Sequence, residues 1–187
     1  MRKSKFSKLI SRSRSIPEAQ RYMDFALDDR QALVESAKTI LSEVPPTFGA
    51  CAMLSAMWAV YLNDNYNIPA QAVAGDLKIG RATIFKCKKN LPEPTMNEHF
   101  ISNIWDGHCW IEVDGFIGDL SIFRTAYSIQ EPSVLKNFIL NHFGSGRGFF
   151  LANRDQLPIG MKYIPKYVLN DRQITGLLGG LEVLIGN

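Results

Sequence analysis

The sequence lacks the features of a membrane-spanning or disulfide-bonded protein. No apolar run approaches the roughly 20 residues that a helix needs to cross a bilayer, so no membrane span is predicted. The first fifteen residues, MRKSKFSKLISRSRS, lack the apolar segment of a secretory signal. Three cysteines without a C-x-x-C pair do not fit a disulfide framework, because their number is odd. These absences lead us to expect a cytoplasmic protein.

Acidic residues are missing from the N-terminus, where positive charge is concentrated. The formal net charge is +3, but residues 1–15 alone contain six Lys and Arg side chains, so the rest of the chain is net negative. A basic nucleic-acid-binding body is therefore not expected. We interpret residues 1–15 as a basic flexible tail, and the alternative is a weak contact of this tail with nucleic acid or anionic lipid.

The remaining residues, 16–187, suit a single domain, because a chain of 187 residues can bury a substantial core. Apolar periodicity, cap residues and turn signals predict its elements. Helices are predicted over 15–28, 30–43, 133–143 and 171–185 and within 47–64, and strands near 71–77, 81–87, 107–123, 147–152 and 159–168. Residues 88–105 are predicted to form a loop with a short element near 98–104.

Cys51 lies in the first turn of the predicted helix within 47–64, which is apolar nearly all round and therefore expected to be central and buried. The free N–H groups of a first helical turn stabilise a thiolate, and they can also receive the oxyanion of a tetrahedral intermediate. Gly49 would let a substrate backbone approach closely. Cys51 is thus a candidate nucleophile, and a buried structural cysteine is the alternative.

A β-hairpin is predicted over 107–123, because Asp114-Gly115 is a strong two-residue turn signal between β-rich runs. With this turn, Val113 lies opposite Phe116. Residues directly opposite each other point to the same side of a sheet, so the register assigns every side chain of the hairpin to a face.

That register places His108 and Asp119 on one face as diagonal neighbours, roughly 7–8 Å apart at the backbone. An imidazole at this position can donate to the carboxylate, which fixes its tautomer and leaves the other nitrogen for a thiol. Trp110 shares the face and is a candidate wall of a substrate site, with ordinary packing as the alternative. Cys109, on the opposite face, has too few partners at suitable spacing for a metal site, and no metal or cofactor is predicted.

These motifs resemble those of the transglutaminase-like (papain-related) superfamily. The resemblance lies in G-A-C opening an apolar helix, N-I-P-A-Q-A-V-A-G, G-H-C-W-I-E-V-D-G and G-D-L, over about residues 47–123. It implies an α+β fold in which a central N-terminal helix packs on an antiparallel sheet. It also implies that Cys51 is the nucleophile, His108 its base and Asp119 the group that orients the histidine.

The function implied by the resemblance is cysteine-dependent acyl transfer on a peptide or protein amide through a thioester. Water as acceptor would give hydrolysis or deamidation, and an amine would give cross-linking. One alternative is a non-catalytic binding domain of the same fold. Another is a nucleic-acid-associated protein that works through its basic tail. The sequence does not indicate the oligomeric state.

Overall fold

The computed structural model describes residues 3–46, 49–94 and 105–186. Within these residues the fold is α+β, with helices packed on both faces of an antiparallel sheet. The helices are α1 (Lys3–Ser13), α2 (Ile16–Asp24), α3 (Gln31–Glu43), α4 (Cys51–Tyr66), α5 (Ile122–Ser128), α6 (Val134–Phe143) and α7 (Asp171–Ile185). The strands are β1 (Gln71–Ile79), β2 (Ala82–Phe85), β3 (His108–Val113), β4 (Phe116–Asp119), β5 (Phe150–Asn153) and β6 (Met161–Val168).

Strand β1 is the centre of the sheet. One of its edges pairs with β6, and the other is shared by β3 along the first half of the strand and β2 along the second half. Strands β4 and β5 extend the sheet beyond β3, and each of these pairings is antiparallel. The start of β3 therefore lies in the interior of the sheet, where Gly75 of β1 is directly opposite His108.

The sheet separates two apolar layers, because alternate strand residues point to opposite faces. One layer is formed with α3, α4 and α7 and includes Leu54 and Trp58 of the central helix. The other is formed with α1, α2, α5 and α6 and includes Phe6 and Trp110. Helix α4 packs closely on the sheet at Gly118, where a Cβ atom would lie 2.5 Å from the Trp58 ring.

The N-terminal segment differs from the flexible tail that the charge pattern suggested. Helix α1 covers Lys3–Ser13, and its Phe6 and Ile10 are buried against β6 and α2. The Lys3 Nζ donates to Asp114 Oδ1 at 2.8 Å, and the Leu27 backbone N–H donates to the other oxygen of the same carboxylate at 2.9 Å. The prediction was wrong because Lys5, Lys8 and Arg12 occupy the exposed side of a helix whose other side is apolar.

The predicted hairpin register is confirmed as far as the β3–β4 ladder extends. Val113 pairs with Phe116, and the ladder runs from there to the pair formed by Ile111 and Gly118. Both faces of the hairpin are covered, so that every residue of β3 is buried. Glu112 is 2% exposed and forms an ion pair with Arg154.

The other predicted elements are confirmed with small shifts of their ends. Ser15 caps α2 by accepting from the Glu18 N–H, as its position before Pro17 suggested. Helix α5, directly after the hairpin, was not predicted. Of the predicted loop over 88–105, residues 95–104 lie outside the described part of the chain, and with them all of the short element expected near 98–104.

Candidate active site

Cys51 is the first residue of α4, the central helix. The N-cap residue is Ala50, which has no polar side-chain atom, whereas α2, α6 and α7 each have a Ser or Asn side chain that caps the helix. The first-turn N–H groups of α4 are therefore not capped by the side chain of its N-cap residue. Gly49, just before it, adopts φ +78°, a left-handed conformation that glycine tolerates best, and no heavy atom lies within 4 Å of the place of a Cβ.

His108 and Asp119 meet in the interior of the protein, at the start of β3 and the end of β4. The His108 Nε2 lies 2.6 Å from Asp119 Oδ2, which is a distance typical of a charge-assisted hydrogen bond. Both side chains are buried, with exposed fractions of 1% and 0%. This pairing leaves Nδ1 as the ring nitrogen that can exchange a proton with another group.

Asp119 is held by four further hydrogen bonds. Its Oδ1 accepts from the backbone N–H and the hydroxyl of Ser121, both at 2.9 Å, and from the Ile122 N–H at 3.0 Å. Its Oδ2 also accepts from the Tyr163 hydroxyl at 2.9 Å. Burial raises the pKa of Asp119, but the charge of His108 and these hydrogen bonds outweigh burial and lower the pKa below its usual value. The carboxylate thus stays ionised although water is excluded.

Aromatic rings surround the His108 imidazole. The Phe85 ring stacks on it, with centroids 4.9 Å apart and an angle of 11° between the planes. Trp110 and Tyr163 lie at 6.2 and 6.1 Å. Because Trp110 is fully buried and donates to Glu112, its indole does not face a substrate, and the packing alternative describes it better than the predicted substrate wall.

The first two residues of β3, His108 and Cys109, both lower the pKa of the Cys51 thiol. The Cys109 thiol lowers the pKa of Cys51 most, burial opposes this effect, and the His108 imidazole and the Cys109 backbone N–H lower the pKa further. The result is a Cys51 pKa well below that of a free thiol. Cys51 is half-buried, so it is the member of this group that retains contact with solvent.

His108 has the complementary pKa shift. Burial lowers its pKa, but the charge of Asp119, the hydrogen bond to that carboxylate and the contact with Cys51 together raise it to about 10. A low thiol pKa and a high imidazole pKa favour a thiolate–imidazolium pair at neutral pH. Such a pair combines a strong nucleophile with a proton donor beside it.

Cys109 is also part of this group, although no function was predicted for it from the sequence. Its side chain points to the α4 side of the sheet and is fully buried. Burial raises the pKa of its thiol, and the hydrogen bond and charge of Cys51 raise it further. Cys109 therefore keeps its proton and donates it to the Cys51 sulfur.

Tyr163 and Phe85 were not identified from the sequence as members of the site. Each lies on a strand that was predicted, but nothing local in the sequence shows that β2 and β6 are neighbours of the histidine. The buried Gln71 pairs with Glu112, four residues along β1 from the Gly75–His108 pair. That separation is roughly 13 Å at about 3.3 Å per residue, so Gln71 is not part of the site.

Neither a membrane-spanning helix nor a metal cluster occurs in the part of the chain that the structure describes. None of its helices is long and apolar enough to cross a bilayer. No group of three or more His, Cys, Asp or Glu side chains within the same residues is arranged to hold a metal ion. Comparison of the chain with protein families, with curated proteins and with solved structures found no match.

Proposed function

We propose that this protein is a cysteine-dependent acyl-transfer enzyme that acts on a peptide or protein amide. The observation that carries the proposal is the 2.6 Å contact between the His108 imidazole and the buried Asp119 carboxylate, near a helix-start thiol, Cys51, whose pKa Cys109 and His108 lower. In this proposal Cys51 is the nucleophile, His108 exchanges the proton and Asp119 orients the imidazole. A transglutaminase-like fold is part of the same proposal, supported by a cysteine-bearing helix packed on an antiparallel sheet with His and Asp on adjacent strands.

The first half-reaction begins with the thiolate of Cys51. Its sulfur attacks the carbonyl carbon of the amide, and the oxyanion that forms is stabilised by N–H groups of the first turn of α4. The His108 imidazolium then donates its proton to the leaving nitrogen, an amine or ammonia is released, and a thioester remains on Cys51.

In the second half-reaction an acceptor attacks the thioester. The neutral imidazole takes a proton from the acceptor as the new bond forms, and the Cys51 thiolate leaves. Water would give hydrolysis of a peptide bond or deamidation of a glutamine, whereas a primary amine would give a cross-link. Of the three proposed residues only Cys51 has exposed surface, so the acyl group must approach from the side of the thiol.

Site-specific alkylation tests the reactive thiolate. At pH 6 we expect iodoacetamide to modify Cys51 at least about tenfold faster than Cys87. The thiolate fraction at this pH rises about tenfold for each unit by which the pKa of a thiol lies below about 8.5, the pKa of a free cysteine. Peptide mass spectrometry resolves the three cysteines, and the Cys51→Ala protein should lose the fast phase while Cys87→Ala keeps it. Equal slow labelling would instead favour the non-catalytic binding domain.

Acyl transfer is tested by incubating the full chain with a mixture of glutamine-containing peptides and a fluorescent primary amine. The expected products are cleaved, deamidated or amine-labelled peptides, and Cys51→Ala and His108→Ala should form none. Product formation that is equal in the Cys51→Ala protein would refute the proposed nucleophile.

A further inference from the structure

Two of the three cysteines lie side by side at the candidate active site. Cys109 follows His108 on β3, so its side chain points to the opposite face of the sheet, toward α4. Helix α4 begins at Cys51 and packs on β3. The ladder between β3 and β4 extends only as far as Ile111, so Cys109 is not paired with a residue of β4. Cys51 packs against the apolar cluster that contains Cys109, and the thiol and backbone N–H of Cys109 both lower the pKa of the Cys51 thiol.

The two thiols differ in exposure and in the type of element that carries them. Cys51 is half-buried and sits at a helix start, whereas Cys109 is fully buried in a strand that is hydrogen-bonded to β1. A small oxidant from solvent therefore meets Cys51 first and cannot reach Cys109 directly. The third cysteine, Cys87, lies after β2, and its thiol is directed to the Lys89 carbonyl at 3.6 Å. Cys87 thus provides an internal control.

We propose that Cys51 and Cys109 form a reversible disulfide when the protein meets a hydroperoxide, with Cys51 as the sulfur that is oxidised first and Cys109 as the sulfur that completes the bond. Bond formation itself does not depend on the proposed function. The consequence drawn from it, reversible loss of acyl transfer because the nucleophile is tied up, does rest on that function.

The first step oxidises Cys51 by two electrons. The thiolate attacks the terminal oxygen of the hydroperoxide, the O–O bond breaks, and a sulfenic acid forms on Cys51. The alkoxide that leaves, or hydroxide when the oxidant is hydrogen peroxide, takes the proton of the His108 imidazolium and departs as alcohol or water. The imidazole is then neutral, and the protons and electrons balance.

In the second step the Cys109 sulfur attacks the sulfenic sulfur. The S–O bond breaks, hydroxide leaves with the proton of the Cys109 thiol as water, and the S–S bond forms. The contact between the thiols must shorten to the roughly 2.05 Å of a disulfide. A movement at the start of α4 can supply this, because Gly49, which precedes the helix, has no side chain to restrict its backbone.

Oxidation of Cys51 also removes an obstacle to the second step. In the reduced protein the Cys51 thiolate is one of the groups that raise the pKa of Cys109, after burial. Sulfenic acid is neutral, so this charge disappears when Cys51 is oxidised. Cys109 can then lose its proton more readily, at the moment when its attack is needed, and the hydroxide that leaves Cys51 takes up that proton.

Peptide mapping of the full chain after brief treatment with hydrogen peroxide tests the proposal. The remaining thiols are blocked with iodoacetamide before digestion without reductant. We expect a cross-linked pair of peptides carrying Cys51 and Cys109, loss of iodoacetamide labelling at both residues, and undiminished labelling of Cys87. Dithiothreitol should restore labelling, and the Cys87→Ala protein should behave in the same way.

A second variant identifies the order of the steps. In Cys109→Ala the cross-link is lost, and we expect Cys51 to accumulate as an adduct with dimedone, a reagent for sulfenic acids. The proposal is overturned if wild-type Cys51 ends as a sulfenic or sulfinic acid beside a free Cys109, if Cys51 pairs with Cys87, or if peroxide leaves Cys51 unmodified.

These outcomes are separable from the fate of the proposed function. Rapid alkylation of Cys51 and acyl transfer without the cross-link would leave the enzyme proposal intact and refute the disulfide. A reversible Cys51–Cys109 cross-link in a protein that converts no amide would support the disulfide and refute the enzyme proposal.

Discussion

Replacing Asp119 with Asn tests how the imidazole is kept charged. The substitution retains the size of the side chain but removes the negative charge that lies 2.6 Å from His108 Nε2. That charge is the main cause that raises the pKa of His108 to about 10 against the effect of burial. Without it, burial favours the neutral imidazole, so the thiolate–imidazolium pair of Cys51 and His108 should be less stable.

The size of the effect follows from the strength of a charged hydrogen bond. Such a bond contributes about 1.5–3 kcal/mol, and one pKa unit corresponds to about 1.4 kcal/mol. The pH at which Cys51 becomes reactive should therefore rise by about one to two pH units, and below that pH its alkylation should slow by about 10–100-fold.

The assay is the rate of iodoacetamide modification of Cys51 between pH 4 and 10, with Cys87 in the same sample as reference. In the wild type, the rate of Cys51 alkylation should rise at acid pH, where the thiolate forms. The rate of acyl transfer should fall near pH 10, where His108 loses its proton. Near-ultraviolet circular dichroism establishes that the variant is folded. A folded Asp119→Asn protein with an unchanged Cys51 profile would refute the coupling of the three residues.

Two further predictions concern stability and the support of the carboxylate. Phe6→Ala should lower the free energy of unfolding in urea by about 3–5 kcal/mol, the usual cost of deleting a buried phenylalanine. Lys5→Ala, on the exposed side of α1, should change it by less than about 0.5 kcal/mol. Equal small effects of the two substitutions would contradict the packing of α1. Tyr163→Phe removes one hydrogen bond to Asp119, so it should cost about 0.5–1.5 kcal/mol and shift the Cys51 alkylation profile to higher pH, and an unchanged profile would show that this bond does not support the site.

Much of the fold could be predicted because its signals are local. Asp114-Gly115 defines a two-residue turn, and this turn alone sets the register of the hairpin that bears His108. Ser15 and Pro17 mark a helix start in the same way. Helix α1 was missed because its basic residues dominated the interpretation, although Phe6 and Ile10 stand at helical spacing.

The candidate site likewise contains contacts that local sequence signals predict and contacts that they do not. His108 and Asp119 share one hairpin, so counting residues was sufficient to bring them together. Tyr163 reaches the same carboxylate only because β6 pairs with β1, far along the chain, and no short-range pattern encodes that pairing. The contact of Cys51 with Cys109 has a similar origin, since it depends on how α4 packs on the sheet.

The packing of the first helix on one of the last strands has a consequence for how the protein is made. Helix α1 contacts β6 (Met161–Val168), which is synthesised long after it. Contacts between such distant segments form late, because the loop between them must first be closed. Until β6 emerges, Phe6 and Ile10 can pack on α2 but not on β6, so part of the apolar side of this basic helix stays uncovered while the intervening chain is made.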